Sequence, residues 1–170
     1  MSQVPERFLW AAGLMKIKPG DHILEIGCGA GLLAEQIAMR LGPKGKIMAV
    51  DRSEPMLAKA RQRNQAYIAK GVAEFRTGDF VKAQLPDDHF DSIVAFNVNF
   101  FWKEPAAELA LIRRALKKKG NLYVFYQAPF EITIEAADPV KRKLLEHGFL
   151  IRDAQLQQLD PTAAFCIVAG

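Results

Sequence analysis

The sequence predicts an α/β protein built on a doubly wound, mostly parallel sheet of seven strands. Apolar strand-like segments alternate with helix-like segments along most of the chain, which is typical of parallel sheets with helices on both faces. The last connection, between Asp153 and Ala164, has only about ten residues, fewer than a parallel crossover with its helix needs. The final strand is therefore expected to run antiparallel.

Length and composition are those of one ordinary domain. The chain has 170 residues, of which 50% are hydrophobic, so we expect a single domain over residues 1–170. The net charge of +4 comes from basic residues scattered along predicted helices, which does not indicate a nucleic-acid surface. Cys28 and Cys166 make neither a metal site nor a disulfide framework. No segment resembles a signal peptide or a membrane span, so we expect a cytoplasmic protein.

The first half of the chain contains three predicted strands and three predicted helices. Ser53, Glu54 and Pro55 mark a helix start, because a hydroxyl caps the first turn, an acid favours the helix dipole and proline needs no N–H there. The third strand has one polar face, which predicts a position near a sheet edge. The predicted elements are a helix over residues 4–15, a strand over 23–26, a helix over 33–41 ending at Gly42, a strand over 46–50, a helix over 56–68 and a strand over 72–76.

The second half contains four predicted strands and two predicted helices. The apolar run over residues 91–96 predicts a central strand. Pro105 opens a helix that Gly120 stops, with the lysines at 117–119 as cations at the negative end of its dipole. The remaining predicted elements are a strand over 122–126, a helix capped by Asp138 that ends at His147, and strands over 149–152 and 165–169.

A glycine-rich turn follows the first predicted strand. Glu25 is followed by Gly27, Gly29 and Gly31, spaced two apart, and a helix begins at once. Glycines let a ligand lie against the backbone, where free N–H groups and the helix dipole favour negative charge, which predicts a nucleotide-like cofactor. The dinucleotide pattern Gly-x-Gly-x-x-Gly is not met, because position 32 is Leu, and this disfavours a nicotinamide oxidoreductase. A tight strand-to-helix turn without a ligand is the alternative.

The pattern Glu-x-Gly-x-Gly-x-Gly over residues 25–31 resembles the first motif of the class I S-adenosylmethionine-dependent methyltransferases. The order of strands and helices matches that family over nearly the whole chain. The resemblance implies a Rossmann-like sheet in the order 3-2-1-4-5-7-6, with S-adenosylmethionine as cofactor and S-adenosylhomocysteine as product. One departure is the loss of a proline: the family's Leu-Lys-Pro-Gly-Gly before strand five corresponds here to Leu-Lys-Lys-Lys-Gly over residues 116–120.

Candidate cofactor residues follow the first two strands, because open parallel sheets bind ligands beyond their carboxyl ends, where the strand order reverses. The resemblance implies that the glycine turn wraps the methionine part of the cofactor, with Glu25 near its amino group. Bonding to the turn's own backbone is the alternative for Glu25. Asp51 lies about twenty residues beyond the glycines, where an acid accepts hydrogen bonds from ribose hydroxyls. Capping of the helix at Ser53 is the alternative for Asp51.

The adenine end of the cofactor is assigned by resemblance. Arg52 and Met56 are placed to cover the adenine ring, although a methionine on a helix is more often a core residue. After strand three, Asp79 is matched to the acid that binds the adenine amino group, and the backbone of Phe80 to the group that binds a ring nitrogen. Taken alone, Asp79 has the character of a turn residue.

The segment after strand four is the candidate acceptor side. The resemblance implies that this position, beginning at Asn97, faces both the methionine portion and the acceptor. Enzymes that methylate base amines carry an Asn/Asp-Pro-Pro-aromatic tetrad here, and its absence favours a small-molecule acceptor over nucleic acid. Phe100, Phe101 and Trp102 are predicted to line an acceptor pocket, with a place in the core as the alternative.

We name no catalytic base and no metal ligand, because His22, His89 and His147 are all predicted to lie away from the site. The predicted function is methyl transfer to a small molecule by in-line displacement, in which positioning supplies much of the acceleration. A non-catalytic S-adenosylmethionine-binding module or partner subunit is the alternative. The chain lacks a long lid insertion, so the site is expected to be open, closed by the N-terminal helix, or completed by a neighbouring subunit of a homo-oligomer.

Overall fold

A computed structural model describes residues 4–170 of the chain. Its strands are β1 (His22–Ile26), β2 (Lys46–Asp51), β3 (Ala73–Thr77), β4 (Phe90–Phe96), β5 (Leu116–Gln127), β6 (Ile151–Gln157) and β7 (Ala164–Ala169). Its α-helices are α1 (Glu6–Leu14), α2 (Leu32–Ala38), α3 (Glu54–Arg63), α4 (Gln65–Ala69), α5 (Ala106–Ala115) and α6 (Asp138–Glu146). Short 3-10 turns follow β3 and β4 and precede α6.

The seven strands form one sheet in the order β3-β2-β1-β4-β5-β7-β6. Strand β7 pairs antiparallel with both β5 and β6, whereas the pairs β1–β2, β2–β3 and β4–β5 are parallel. The predicted order and the antiparallel last strand are therefore confirmed. The connection that leads into β7 is shorter than predicted, because β6 continues to Gln157 and leaves residues 158–163 as the loop.

The chain divides into two compact units, one ending at Gln84 and the other beginning at Leu85. In the first unit, α1 contacts α2, and the parallel register of β2 and β3 places Asp51 opposite Thr77 at their carboxyl ends. In the second unit, the largest buried side chains are phenylalanines: Phe90, Phe101, Phe125, Phe149 and Phe165. A single domain over residues 1–170 stays a prediction.

Two helices of the first unit are shorter than predicted. The helix predicted over residues 56–68 is two helices, α3 and α4, which meet at Asn64. The break follows from the Asn64 side chain, which donates to the carbonyl of Ala60 one turn back instead of pointing to solvent. Helix α2 ends at Ala38, where the Arg40 and Leu41 N–H groups close tighter turns on the carbonyls of Ile37 and Ala38.

The lysine run does not end a helix. Helix α5 stops at Ala115, and β5 already begins at Leu116, which pairs with Phe90. The next pair is Ser92 with Asn121, so β5 carries extra residues that bulge out opposite β4. A Cβ at Gly120 would lie 2.7 Å from the Leu116 side chain and 3.0 Å from the Asp91 carbonyl oxygen. The glycine is therefore required by the bulge, and the prediction that Gly120 stops the helix is wrong.

The last helix and β6 also differ slightly from their predicted bounds. Asp138 is the first residue of α6, and its cap is Ala137 at the end of a 3-10 turn. The strand predicted from residue 149 begins at Ile151, because the Phe149 N–H closes the end of α6 by donating to the Leu144 carbonyl.

Candidate functional site

The glycine turn of the first unit has the left-handed backbone that its glycines predict. The φ angles of Gly27, Gly29 and Gly31 are 71°, 52° and 74°. Their N–H groups, however, all donate within the protein: Gly27 to the Val50 carbonyl, Gly29 to Asp51, and Gly31 to the Cys28 carbonyl. The expectation of free turn N–H groups for an anion is therefore wrong at these three positions.

Asp51, the last residue of β2, is hydrogen-bonded to the glycine turn. Its Oδ2 accepts the Gly29 N–H at 2.7 Å, and its Oδ1 accepts the Ser53 N–H at 2.9 Å, just before α3. Ser53 in turn caps α3 by accepting the Met56 N–H, as predicted. The structural role of Asp51 is thus present in the fold. Each carboxylate oxygen keeps a second lone pair that a ligand hydroxyl can use, so the ribose role stays a prediction.

Glu25 lies beneath the turn as a buried carboxyl group. It is 2% exposed, and its Oε2 has no hydrogen-bond partner among residues 4–170. Burial raises the pKa of Glu25 to about 8; the negative charge of Asp51 adds to the rise, and a hydrogen bond from the Ala34 backbone opposes it. Glu25 therefore bonds the first turn of α2 rather than the glycine turn itself. An unpaired oxygen at this depth is costly unless a ligand group reaches it.

The other predicted cofactor residues differ in their burial. Met56 is half-buried, with its Cε near the turn, 3.6 Å from the position that a Cβ on Gly29 would take. Arg52 and Asp79 are exposed, and the Asp79 carbonyl starts a 3-10 turn by accepting the Lys82 N–H. Phe80 is buried. The structure brings Met56 to the glycine turn, whereas the adenine roles of Arg52, Asp79 and Phe80 stay predictions.

Asn97 continues the backbone ladder between β4 and β5 in the second unit. Its φ is 54°, and its side-chain amide bonds the backbone of Gln127 in both directions: Oδ1 accepts the Gln127 N–H at 2.8 Å, and Nδ2 donates to the Gln127 carbonyl at 3.2 Å. The amide therefore keeps only one N–H and one lone pair for a ligand.

The three aromatic residues after β4 are not equivalent. Phe101 is 1% exposed and belongs to the core of the second unit, so its assignment to an accessible pocket wall is corrected. Trp102 is half-buried and packs on Tyr126 and Phe165, with ring centroids 4.6 and 6.3 Å apart. Phe100 is half-buried beside Phe101. Phe100 and Trp102 keep their predicted place beside an acceptor, as predictions only.

Comparison with known proteins identifies the family. The profile of the family described as "Methyltransferase domain" matches residues 17–157. This chain belongs to that methyltransferase family. The sheet order of this methyltransferase domain agrees with the match, and together they confirm the resemblance to class I S-adenosylmethionine-dependent methyltransferases. Membership implies S-adenosylmethionine as the cofactor.

Two sequence relatives and one solved structure show how far the similarity of this methyltransferase domain extends. A 2-phytyl-1,4-naphtoquinone methyltransferase from Synechococcus elongatus is 37% identical over 83 residues, covering 49% of this chain and 34% of the relative. A demethylmenaquinone methyltransferase from Symbiobacterium thermophilum is 31% identical over 137 residues, covering 79% of this chain and 49% of the relative. The chain thus spans half or less of the length of these relatives. The crystal structure of a SAM dependent methyltransferase from Aquifex aeolicus matches with a TM-score of 0.74 at 24% identity, covering 97% of this chain and 88% of the other.

Asn64 is a residue of the methyltransferase domain that the sequence interpretation missed. It is fully buried, and its Nδ2 donates to the Gly31 carbonyl at 3.1 Å. The neighbouring Arg63 donates from Nε to the Ala30 carbonyl at 3.3 Å. The sequence feature that could have indicated Asn64 is its poor helix propensity within a segment of alanine, arginine and glutamine.

One histidine and the two cysteines have surroundings that the structure defines. His147 lies at the end of α6 with Nδ1 2.8 Å from the Lys143 carbonyl oxygen, and burial raises the pKa of the Cys28 and Cys166 thiols. Within residues 4–170, no three His, Cys, Asp or Glu side chains gather as metal ligands would. No helix in that range is both long enough and apolar enough to cross a membrane.

The burial of Phe101 makes a direct prediction. Phe101→Leu should lower the free energy of unfolding by about 1–2 kcal/mol, because a smaller side chain leaves a partial cavity in a packed core. Phe100→Leu, the matched change at a half-buried neighbour, should cost clearly less. Urea unfolding of both variants is the measurement, and equal losses of stability would contradict the different burial of the two rings.

Proposed function

We propose that this chain transfers a methyl group from S-adenosylmethionine to a small-molecule acceptor by in-line displacement, leaving S-adenosylhomocysteine. The observation that best supports this function is the pair of acidic side chains behind the glycine turn. The carboxyl groups of Glu25 and Asp51 lie there, and the N–H groups of Gly27, Gly29 and Gly31 are already bonded. Such a turn suits the positive charge of a sulfonium or ammonium group better than the negative charge of a phosphate.

Three sets of residues in this chain would hold the three parts of the cofactor. The unpaired Oε2 of Glu25 would accept a hydrogen bond from the ammonium group of the methionine part, near the glycine turn. The free lone pairs of Asp51 would accept the ribose hydroxyls. The adenine ring would be held by the residues that the resemblance matches to it, which are Arg52, Met56, Asp79 and Phe80.

The acceptor is proposed to be an apolar ring compound of the quinone class. Both sequence relatives carry a quinone in their names. The half-buried rings of Phe100 and Trp102 would supply apolar walls for such an acceptor, and the remaining N–H of Asn97 would orient a polar group. No base is assigned, because a sulfonium methyl group is already activated and positioning supplies much of the acceleration.

Two changes of glycine to alanine test the cofactor site with a matched control. Gly29 and Gly71 both have positive φ, 52° and 71°, so a Cβ strains the backbone equally at both positions. A Cβ on Gly29 would make ordinary contact with Met56 and would stand on the turn proposed to hold the methionine part of the ligand, whereas one on Gly71 would meet no heavy atom of residues 4–170 within 4 Å. Both variants should therefore lose about 1 kcal/mol of stability, and only Gly29→Ala should weaken S-adenosylhomocysteine binding, by roughly ten-fold.

Calorimetric titration with S-adenosylhomocysteine gives the affinities, with NADH as a second ligand for the wild-type chain. Saturable binding of S-adenosylhomocysteine and none of NADH is the expected result. Incubation with S-adenosylmethionine and a panel of reduced quinones, followed by mass spectrometry, tests turnover. Absence of S-adenosylhomocysteine binding would overturn the proposal, and binding without turnover of any acceptor would favour a non-catalytic binding module.

A further inference from the structure

Helix α3 ends at a buried amide that reaches the glycine turn. Asn64 is 0% exposed, and its Nδ2 donates to two carbonyl oxygens, that of Ala60 at 2.9 Å and that of Gly31 at 3.1 Å. Both hydrogens of the amide nitrogen are therefore used. The Gly31 carbonyl also accepts the Glu35 N–H at 3.0 Å, which is the first hydrogen bond of α2. Asn64 thus joins the end of one helix to the start of another through the last glycine of the turn.

Close packing at Gly31 shows that this contact defines the turn. A Cβ on Gly31 would lie 2.8 Å from both the Ala60 Cβ and the Asn64 Nδ2, distances that real Cβ atoms do not show. The third glycine is therefore required by the approach of α3 as well as by its φ of 74°. Asn64 and Ala60, both at the end of α3, therefore together fix the place of the backbone at Gly31.

The free-energy cost of burying the Asn64 amide indicates that the position of the glycine turn matters. The Oδ1 of Asn64 is buried and has no hydrogen-bond partner among residues 4–170. A buried amide oxygen without a partner destabilises the fold, so an apolar side chain of similar size would suit stability alone equally well. At the other end of α3, the Asp51 carboxylate accepts the N–H groups of both Gly29 and Ser53. The turn is therefore fastened at both ends of the same helix.

We propose that Asn64 is a positioning residue for cofactor binding, which sets the place of Gly31 and so the shape of the turn against the methionine part of the ligand. This inference rests on the proposed function of the turn. Asn64 itself touches no ligand in this mechanism, because its side chain is buried behind Gly31. The effect should therefore fall on the part of the cofactor that lies along the turn, and the adenosine part should be spared.

Asn64→Leu separates positioning from stability. The change leaves no acceptor unpaired, because the Gly31 carbonyl keeps the Glu35 N–H and the Ala60 carbonyl keeps the Asn64 backbone N–H. We expect S-adenosylhomocysteine to bind roughly three- to ten-fold more weakly. This loss of affinity corresponds in free energy to the loss of one or two net hydrogen bonds. The affinity for 5′-methylthioadenosine, which has the adenosine and thioether but no amino-acid part, should change less than about two-fold. Gln65→Leu, the matched amide change at the next and exposed residue, should leave both affinities unchanged.

The two ligands, measured by calorimetry beside thermal melts, decide the outcome. Unchanged S-adenosylhomocysteine affinity in Asn64→Leu would overturn the inference. Equal losses for both ligands, together with a lower Tm, would also overturn it, because they would show a general structural defect. If the leucine variant does not fold, Asn64→Ser keeps one donor and should show a smaller loss confined to S-adenosylhomocysteine. A wild-type chain that binds neither ligand would instead refute the proposed function on which the inference rests.

Discussion

Asp51→Ala is expected to weaken S-adenosylhomocysteine binding by roughly ten- to a hundred-fold and to lower the free energy of unfolding by about 2–4 kcal/mol. The loss of affinity follows from the removal of charged acceptors for the ribose. The loss of stability follows from the two backbone hydrogen bonds that the carboxylate accepts, from Gly29 and Ser53. Calorimetric titration and urea unfolding measure the two effects separately.

The two roles of Asp51 can be distinguished with Asp51→Asn. The amide oxygen accepts one backbone N–H, so this variant should regain part of the stability that alanine loses. Its affinity should lie between those of the wild-type and alanine proteins, because the amide nitrogen accepts no hydrogen bond. Reduced stability with an unchanged dissociation constant for S-adenosylhomocysteine in both variants would show that Asp51 only stabilises the turn. The ribose assignment would then be withdrawn.

The stability of the protein is expected to fall as pH rises from about 4.5 to about 8, because of Glu25. The buried Glu25 carboxyl keeps its proton up to about pH 8 in the folded chain, whereas the same group loses it near its ordinary value of 4.5 when the chain unfolds. The folded state therefore binds more protons between these values, and stability decreases by about 1.4 kcal/mol per pH unit from this group. Below 4.5 and above 8 the contribution is constant.

Glu25→Gln should remove this dependence. The amide is neutral at every pH, so the variant should match the wild-type protein near pH 4.5 and exceed its stability by about 2–4 kcal/mol at pH 8. Glu146→Gln, at an exposed position in α6, should leave the pH profile unchanged. Urea unfolding at several pH values is the measurement. Parallel profiles for the wild-type protein and Glu25→Gln would contradict the raised pKa of Glu25.

Features that depend on chain connectivity and local caps could be predicted from the sequence. The short segment before the last strand could hold no crossover helix, and β7 indeed pairs antiparallel with β6. Ser53 follows a strand and precedes good helix formers, and its hydroxyl caps α3 as expected. Both signals lie within a few residues of the structure that they determine. The family resemblance then supplied the strand order, which connectivity alone does not decide.

Features that depend on contacts across the fold could not be predicted. Lys117 belongs to a run of lysines that is typical of a helix end. It lies instead in β5, where its Nζ donates to Oδ1 of Asp91 on a neighbouring strand at 2.8 Å. Asn64 donates to the carbonyl of Gly31, which lies 33 residues earlier in the chain. Phe100 and Phe101 are adjacent and chemically identical, and only the packing of the second unit decides which one is buried. No periodicity of the sequence contains this information.

The two edges of the sheet have a consequence for how copies of the chain behave at high concentration. The outer strands are β3 and β6, and unpaired strand edges are templates for aggregation. β3 exposes an ion pair between Glu74 and Arg76, and β6 exposes Arg152 and Asp153 at a break in its register with β7. Charged side chains and an irregular register oppose the addition of a further strand. Both edges of the sheet therefore disfavour self-association by addition of a further strand.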